Sequence, residues 1–259
     1  MMQDHPPVSL WRRLWLWFLT TVGPRHFFES FSRWVRPLAL LAALLLSVGT
    51  VWSLVYAPAD YLQGNSYRII FIHVPAASLA LSIYFALAVL GLITLVWKIK
   101  TAELVARAAA PIGLLLCVLS LLTGAIWGKP TWGTYWVWDG RLTSMLILAF
   151  LYAGVVALQQ AFAQSPEPGK AAALLSLVGA INLPIIKYSV VWWNTLHQGS
   201  TFSLTAAPKM PPAMYVPLLI MLLGFYLLAA AWVLYRTCTL ILQRERQSRW
   251  VQALLEKAP

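Results

Sequence analysis

The apolar residues of this chain are gathered into six blocks, each about as long as a lipid bilayer demands. They run roughly over Pro37–Tyr56, Pro75–Trp97, Ala108–Trp127, Leu142–Phe162, Ala171–Val191 and Met214–Tyr235. A hydrocarbon core about 30 Å thick takes roughly 20 residues of helix, and the first block, PLALLAALLLSVGTVWSLVY, carries no charge. Backbone polar groups find no water in lipid, so a helix, which satisfies them internally, is the expected form of each block. Segments of about ten residues with alternating polarity would mark a membrane β-barrel, and none is visible. The pattern therefore predicts an all-α polytopic membrane protein with six transmembrane helices and no internal repeat. Asn182 and Pro184 fall inside the fifth block and predict a kink there.

The polar stretches between the blocks set the orientation. Fourteen Lys and Arg side chains lie before the first block, after the second, after the fourth and beyond the sixth, against five (Arg68, Lys129, Arg141, Lys187 and Lys209) on the other side. Cytoplasmic loops carry the excess of Lys and Arg, so both termini are expected in the cytoplasm. Three longer loops then face outward, at 57–74, 128–141 and 192–213. The chain divides accordingly into a cytoplasmic or interfacial segment (1–36), a six-helix domain (37–235) and a basic cytoplasmic tail (236–259). Within the first segment, Leu10–Phe18 (LWRRLWLWF) is too short to span. Its Trp, Leu and Arg suit an amphipathic helix lying in the membrane interface, and equally a charged flank ahead of the first span.

Composition agrees with the pattern and narrows the function. Of 259 residues 60% are hydrophobic and only 10% charged, against about 25% charged in soluble domains. That excludes a disordered chain and most soluble enzymes. The net charge of +11 would suit nucleic acid, but the basic residues flank apolar spans, as membrane loops do. Cys117 and Cys238 form neither a CxxC pair nor a metal-ligand spacing.

The unusual chemistry lies in the outward loops. The central one, WGKPTWGTYWVWDGR, holds Trp127, Trp132, Tyr135, Trp136 and Trp138, and Trp192 and Trp193 open the third. An interfacial aromatic belt explains Trp52, Trp97 and Trp232, but a belt needs one or two rings per helix end rather than five in one connection. Gly128, Pro130 and Gly133 predict irregular backbone beneath these rings. An aromatic platform of this kind suits a flat apolar ligand. His73, just before Pro75, and His197, just after Trp193, flank it on the same side, whereas His5 and His26 read as solvated. Imidazole is a standard axial ligand of haem iron. A macrocycle edge on tryptophans with one imidazole on each iron face accounts for both sets of residues. No CxxCH is present, so covalent attachment is not expected. Asp139 is placed as a helix N-cap, and Asp60 is the other outward acid. Arg68, Lys129 and Arg141 are the cations available to haem propionates, with Arg suited to bidentate contact.

These segments resemble a known family. WGTYWVWD (Trp132–Asp139) matches the WGxxWxWD signature of tryptophan-rich haem-handling proteins. APADYLQGNSYRIIFIHVPAA (Ala57–Ala77), WGKPTWGTYWVWDGRLTS (Trp127–Ser144) and NLPIIKYSVVWWNTLHQGS (Asn182–Ser200) are similar to the haem exporter protein C family of bacterial cytochrome c-type biogenesis, from about Arg36 to Arg246. The resemblance implies non-covalent haem b held on the periplasmic face of the inner membrane, with His73 and His197 as axial ligands and the tryptophan-rich loop beside them. It implies delivery to a periplasmic haem chaperone, and association with a small single-span membrane protein and with the permease and ATPase subunits of an ABC transporter. ATP hydrolysis is not expected of this chain itself, since GAIWGKP (Gly124–Pro130) lacks the spacing and the Ser/Thr of a phosphate loop.

Two other functions compete. A haem lyase attaching haem to apocytochrome shares the tryptophan motif, but such relatives carry more spans and further histidines. A haem-translocating permease would place polar residues along a path through the spans; here Asn182 and scattered Ser and Thr are the main ones.

Overall fold

A computed structural model describes residues 9–10, 17, 22–163, 169–193, 195–197 and 210–256. Apart from Leu10 and Trp17, the expected interfacial helix lies outside the described residues, as do residues 164–168 of the fourth connection and most of the third outward loop. Among the described residues the regular structure is helical, with no strand: α1 (Pro24–Phe31), α2 (Val35–Val51), α3 (Ile70–Trp97), α4 (Lys100–Trp132), α5 (Gly140–Ala161), α6 (Lys170–Gly179), α7 (Asn182–Trp192), α8 (Pro212–Arg244) and α9 (Arg249–Glu256). Six helical stretches are long and apolar enough to cross a membrane, and the chain is an all-α, multi-pass membrane protein.

Several helices run past their apolar blocks. The second extends back through a 3-10 turn at Asn65–Ile69, so His73 stands on a helix rather than in a loop. The third begins at Lys100, leaving only Lys98 and Ile99 as a connection, with Lys98 in a left-handed turn (φ 54°). It ends at Trp132, so the irregular backbone expected from Gly128 and Pro130 starts only at Gly133. Proline at position 130 removes one N–H but leaves the helix intact, and Gly133, at φ 80°, supplies the left-handed stop. The sixth helix continues to Arg244, so the first part of the basic tail extends it. The fifth span is broken at Ala180–Ile181 into α6 and α7, as Asn182 and Pro184 predicted.

The main core lies between α3, α4, α5 and α6. Without a hydrophobic drive between helices in lipid, close approach and interhelical hydrogen bonds do the holding. Tyr84 and Tyr152, both fully buried, meet edge to face at 4.9 Å. Tyr152 Oη donates to Ala80 O (2.6 Å), and Asn182 Nδ2 crosses from the helix break to Ser144 O (2.8 Å). These bonds tie the break to the bundle and account for Asn182 without a transport path. α2 packs mainly on α8, beside the main core.

The two ends of the bundle differ. At one, α1 and α9 fold back onto Leu104, Ala108, Leu240 and Ile241, with Phe28 and Trp250 5.7 Å apart and Arg244 bonded to Glu103 (3.1 Å). At the other, Tyr67, Phe71, Met214, Leu218 and Met221 form a small apolar cluster against Trp127. That end carries the aromatic connections and the candidate site.

Candidate functional site

His73 projects from the second turn of α3 toward α4. Its ring lies against the Cα of Gly124: a Cβ built there would stand 3.0 Å from His73 Cε1. Its Nδ1 is 3.1 Å from Thr123 Oγ1. The Thr123 hydroxyl donates to Leu119 O (2.7 Å), which leaves a lone pair toward His73, and the Nδ1–H tautomer is the one that completes this contact. The free lone pair of this imidazole is then on Nε2, the arrangement that fixes a metal-ligating histidine. Trp127 stands edge-on to the ring, centroids 5.8 Å apart. Trp127 is itself held by donation from Nε1 to Gln63 Oε1 (2.8 Å). Gln63 is placed by a tight turn in which the Asp60 carboxylate accepts the N–H groups of Leu62 and Gln63, and which closes at Gly64 (φ 57°). Asp60 is thus spent on loop structure.

One helical turn along α4 from Gly124, Gly128 leaves room for Trp132: a Cβ there would meet the indole at 3.0 Å. Ser120, Gly124 and Gly128 are buried at four-residue spacing and make one face of α4 nearly flat. Trp132 folds back over it and meets His197 with centroids 4.7 Å apart. The central aromatic residues therefore divide. Trp127 and Trp132 sit on helix, turned inward toward the two histidines. Tyr135, Trp136 and Trp138 follow on irregular backbone. Tyr135 and Trp138 are exposed, and Lys129 lies 5.3 Å over the Tyr135 ring while donating to Gly133 O (3.0 Å). Trp136 packs edge-on to Trp138 at 5.4 Å. Its Nε1 is buried with no hydrogen-bond partner among the described residues. An orphaned buried donor costs about 1–3 kcal/mol, a cost that an acceptor on a bound ligand removes.

The opposite end of the site is built on Asp139. As expected, it caps α5: Oδ1 accepts from the N–H groups of Arg141 (3.0 Å) and Leu142 (2.8 Å). Its Oδ2 accepts from the Thr195 hydroxyl and lies 3.3 Å from His197 Nδ1. Thr195 Oγ1 also accepts from His197 N (3.2 Å). A carboxylate only accepts, so His197 donates through Nδ1–H and keeps its lone pair on Nε2, as His73 does. Burial alone would raise the Asp139 carboxyl, but hydrogen bonds from Thr195 and Leu142 and the adjacent His197 hold it below the usual carboxylate value. Burial and then the Arg141 cation hold His197 below the usual histidine value, with Asp139 opposing both. His73 packs on Gly124, and His197 packs on Trp132, which itself lies on Gly128, so both imidazoles sit along the same small-residue face of α4. Trp193 closes the flank, packing where a Cβ on Gly140 would come within 2.9 Å of its indole.

The cations divide in role. Arg141 follows the Asp139 cap and acts electrostatically on His197. Arg68 is committed elsewhere: its Nη1 donates to Leu54 O (2.5 Å) and Nη2 to Ala57 O (2.9 Å), carbonyls exposed where the first span ends in a π-turn at Trp52–Tyr56. Sequence reasoning missed Thr123, Gly124, Gln63 and Thr195. The small residues Ser120, Gly124 and Gly128 at helical spacing were a readable signal. Thr195 had none, because its partner Asp139 is distant in the chain.

Two imidazoles with Nδ1 engaged, beside inward indoles and a nearby guanidinium, make a donor set that fits a flat metallo-macrocycle with carboxylate tails. Among the described residues there is no cluster of three or more His, Cys, Asp or Glu able to hold a bare metal ion. Comparison with known proteins points the same way. The family model described as heme exporter protein C matches residues 17–252. "Heme exporter protein C" of Escherichia coli (strain K12) is 51% identical over 225 residues, covering 86% of this chain and 91% of that protein. The protein of that name from Haemophilus influenzae is 44% identical, covering 94% and 99%, and a "putative cytochrome c biosynthesis ccmC-like mitochondrial protein" of Marchantia polymorpha is 38% identical, covering 87% and 96%. A match across nearly the whole chain, with the histidine-flanked tryptophan segment inside it, means that this protein belongs to the heme exporter protein C family.

Proposed function

We propose that this protein captures haem b without covalent attachment at the periplasmic rim of the bacterial inner membrane and delivers it to a periplasmic haem chaperone for cytochrome c maturation. It is a delivery module rather than an enzyme. His73 and His197 supply the axial imidazoles, and Trp127 and Trp132 line the space between them. Trp136, Trp138 and Tyr135 offer apolar surface at the exposed edge, and Arg141 is the cation best placed for a propionate. Asp139 acts behind His197, and Arg68 acts on the loop that carries Gln63. Both termini lie in the cytoplasm, and the loops around 57–74, 128–141 and 192–213 face the periplasm. A small single-span membrane protein and the permease and ATPase subunits of an ABC transporter are the expected associates.

The observation that carries this reading is the matched state of the two histidines. Each has Nδ1 against a protein oxygen, the contact that favours a proton on Nδ1 and a lone pair on Nε2, and both stand beside inward-turned indoles. Capture at an exposed rim suits a hand-off, since a chaperone reaches the same haem without crossing the bundle. The test is the visible spectrum of the purified protein with haem. Low-spin bis-imidazole bands are expected, and they should change in His73→Ala and in His197→Ala; unchanged spectra and unchanged chaperone loading in both would defeat the assignment.

A further inference from the structure

We infer that Asp139, beyond capping a helix, is a positioning residue that sets the tautomer and ring orientation of His197. The inference rests on the haem reading above and concerns how one ligand of that site is prepared. The geometry separates the two jobs by atom. Oδ1 takes the two N–H groups at the start of α5, at 3.0 and 2.8 Å. Oδ2 faces the other way and takes the Thr195 hydroxyl and His197 Nδ1, the latter at 3.3 Å. A cap needs only one oxygen. The second oxygen is aimed at the segment that carries His197, and the carboxylate is almost wholly buried, with 5% of the side chain exposed.

The consequence for His197 follows from donor and acceptor counting. A neutral imidazole has one N–H. While Oδ2 accepts from Nδ1, the proton is on Nδ1 and Nε2 is bare. Carboxylate–histidine–metal pairs work this way, and losing the outer partner typically lowers metal affinity about 10- to 100-fold. The negative charge also makes the imidazole a stronger donor, which favours ferric over ferrous iron. His73 has a neutral threonine hydroxyl in the same place. The two axial ligands are therefore unequal: His197 is the more basic, and His73 the more easily exchanged.

The discriminating substitution is Asp139→Asn. The asparagine Oδ1 caps α5 about as well as aspartate does, but Nδ2 replaces the acceptor with a donor. Facing Nδ2–H, His197 Nδ1 must accept, which moves its proton to Nε2 and removes the ligand atom. In the purified full chain with ferric haem, this variant should melt close to the parent. It should bind haem about 10- to 100-fold more weakly, shift from low-spin toward high-spin bands, and raise the reduction potential of the haem that remains. Thr195→Val, which frees Oδ2 without touching the cap, should shift the same quantities less. In a His197→Gly background rescued with free imidazole, Asp139→Asn should add no further loss, because a free ligand chooses its own tautomer. Parent-like affinity, spectrum and potential in both Asp139→Asn and Thr195→Val would overturn the inference, as would a full additive loss in the rescued background. If His73→Gly and His197→Gly themselves leave the spectrum unchanged, it is the haem-ligand reading that fails.

Discussion

Gly124 offers the sharpest test of how the site is packed. A methyl group there would stand 3.0 Å from His73 Cε1, 3.5 Å from Nδ1 and 4.0 Å from Nε2. Carbon atoms settle at about 3.5–4.0 Å, so Gly124→Ala requires the ring to give by a few tenths of an ångström. The same retreat stretches the 3.1 Å bond from His73 Nδ1 to Thr123 Oγ1 toward its breaking point. Losing it releases both the tautomer and the ring orientation. A lost hydrogen bond is worth about 1 kcal/mol, roughly fivefold in affinity, and a loosened outer partner costs a metal-ligating histidine about 10- to 100-fold. Haem affinity should therefore fall between these limits. Alanine is favoured over glycine in a helix by about 1 kcal/mol, which offsets the steric cost, so the fold itself should be little affected. Gly124→Val should be worse on both counts. The assay is an optical titration of purified protein with ferric haem, run beside thermal melting. Parent-like affinity in a folded Gly124→Ala variant would refute the packing argument.

Three further outcomes are expected. Thr123→Val removes the acceptor for His73 Nδ1–H while keeping the volume; haem binding should weaken about tenfold or more with a melting temperature near the parent's, and equal loss of both would point to a purely structural role. Arg68→Ala strips the donors from Leu54 O and Ala57 O, so it should destabilise the fold by about 1–3 kcal/mol; Arg68→Lys, lacking the fork, should recover only part, and a parent-like melting curve for Arg68→Ala would rule this out. The last concerns pH. Burial and Arg141 hold His197 below its ordinary value, near about 6.5. Only the neutral imidazole can hold iron, so in the folded protein retention is lost as pH falls through the lowered value and not at the ordinary one. Haem retention at His197, followed by its low-spin bands, should thus stay flat from pH 8 to below 6.5 and fail only at more acid pH; a decline already under way at pH 7 would contradict the burial.

Much of this architecture was legible in the pattern of residues, and the reason is the solvent. Lipid admits only stretches that satisfy their own backbone, so six apolar blocks meant six helices, and Asn182 with Pro184 marked the break that separates α6 from α7. Helix ends were less legible. The apolar blocks stop where lipid stops, whereas α3, α4 and α8 continue beyond it because the intrahelical hydrogen bonds continue. Gly128 and Pro130 read as breakers, yet α4 runs through both to Gly133, since a flat glycine face is what lets Trp132 lie close to the helix.

The sequence by itself determined the class of protein and its spans, and marked the residue types proposed to grip a haem, because hydrophobicity and side-chain chemistry are local properties. Only the tertiary structure decided how those residues are divided. It turned Trp127 and Trp132 toward the histidines and left Trp138 exposed. It spent Asp60 and Arg68 on loop backbone, and it gave His73 a threonine and His197 an aspartate. Thr123 is 50 residues from His73, and Asp139 is 58 from His197. A hydrogen bond across such a gap depends on how separate helices pack, and no local pattern records it.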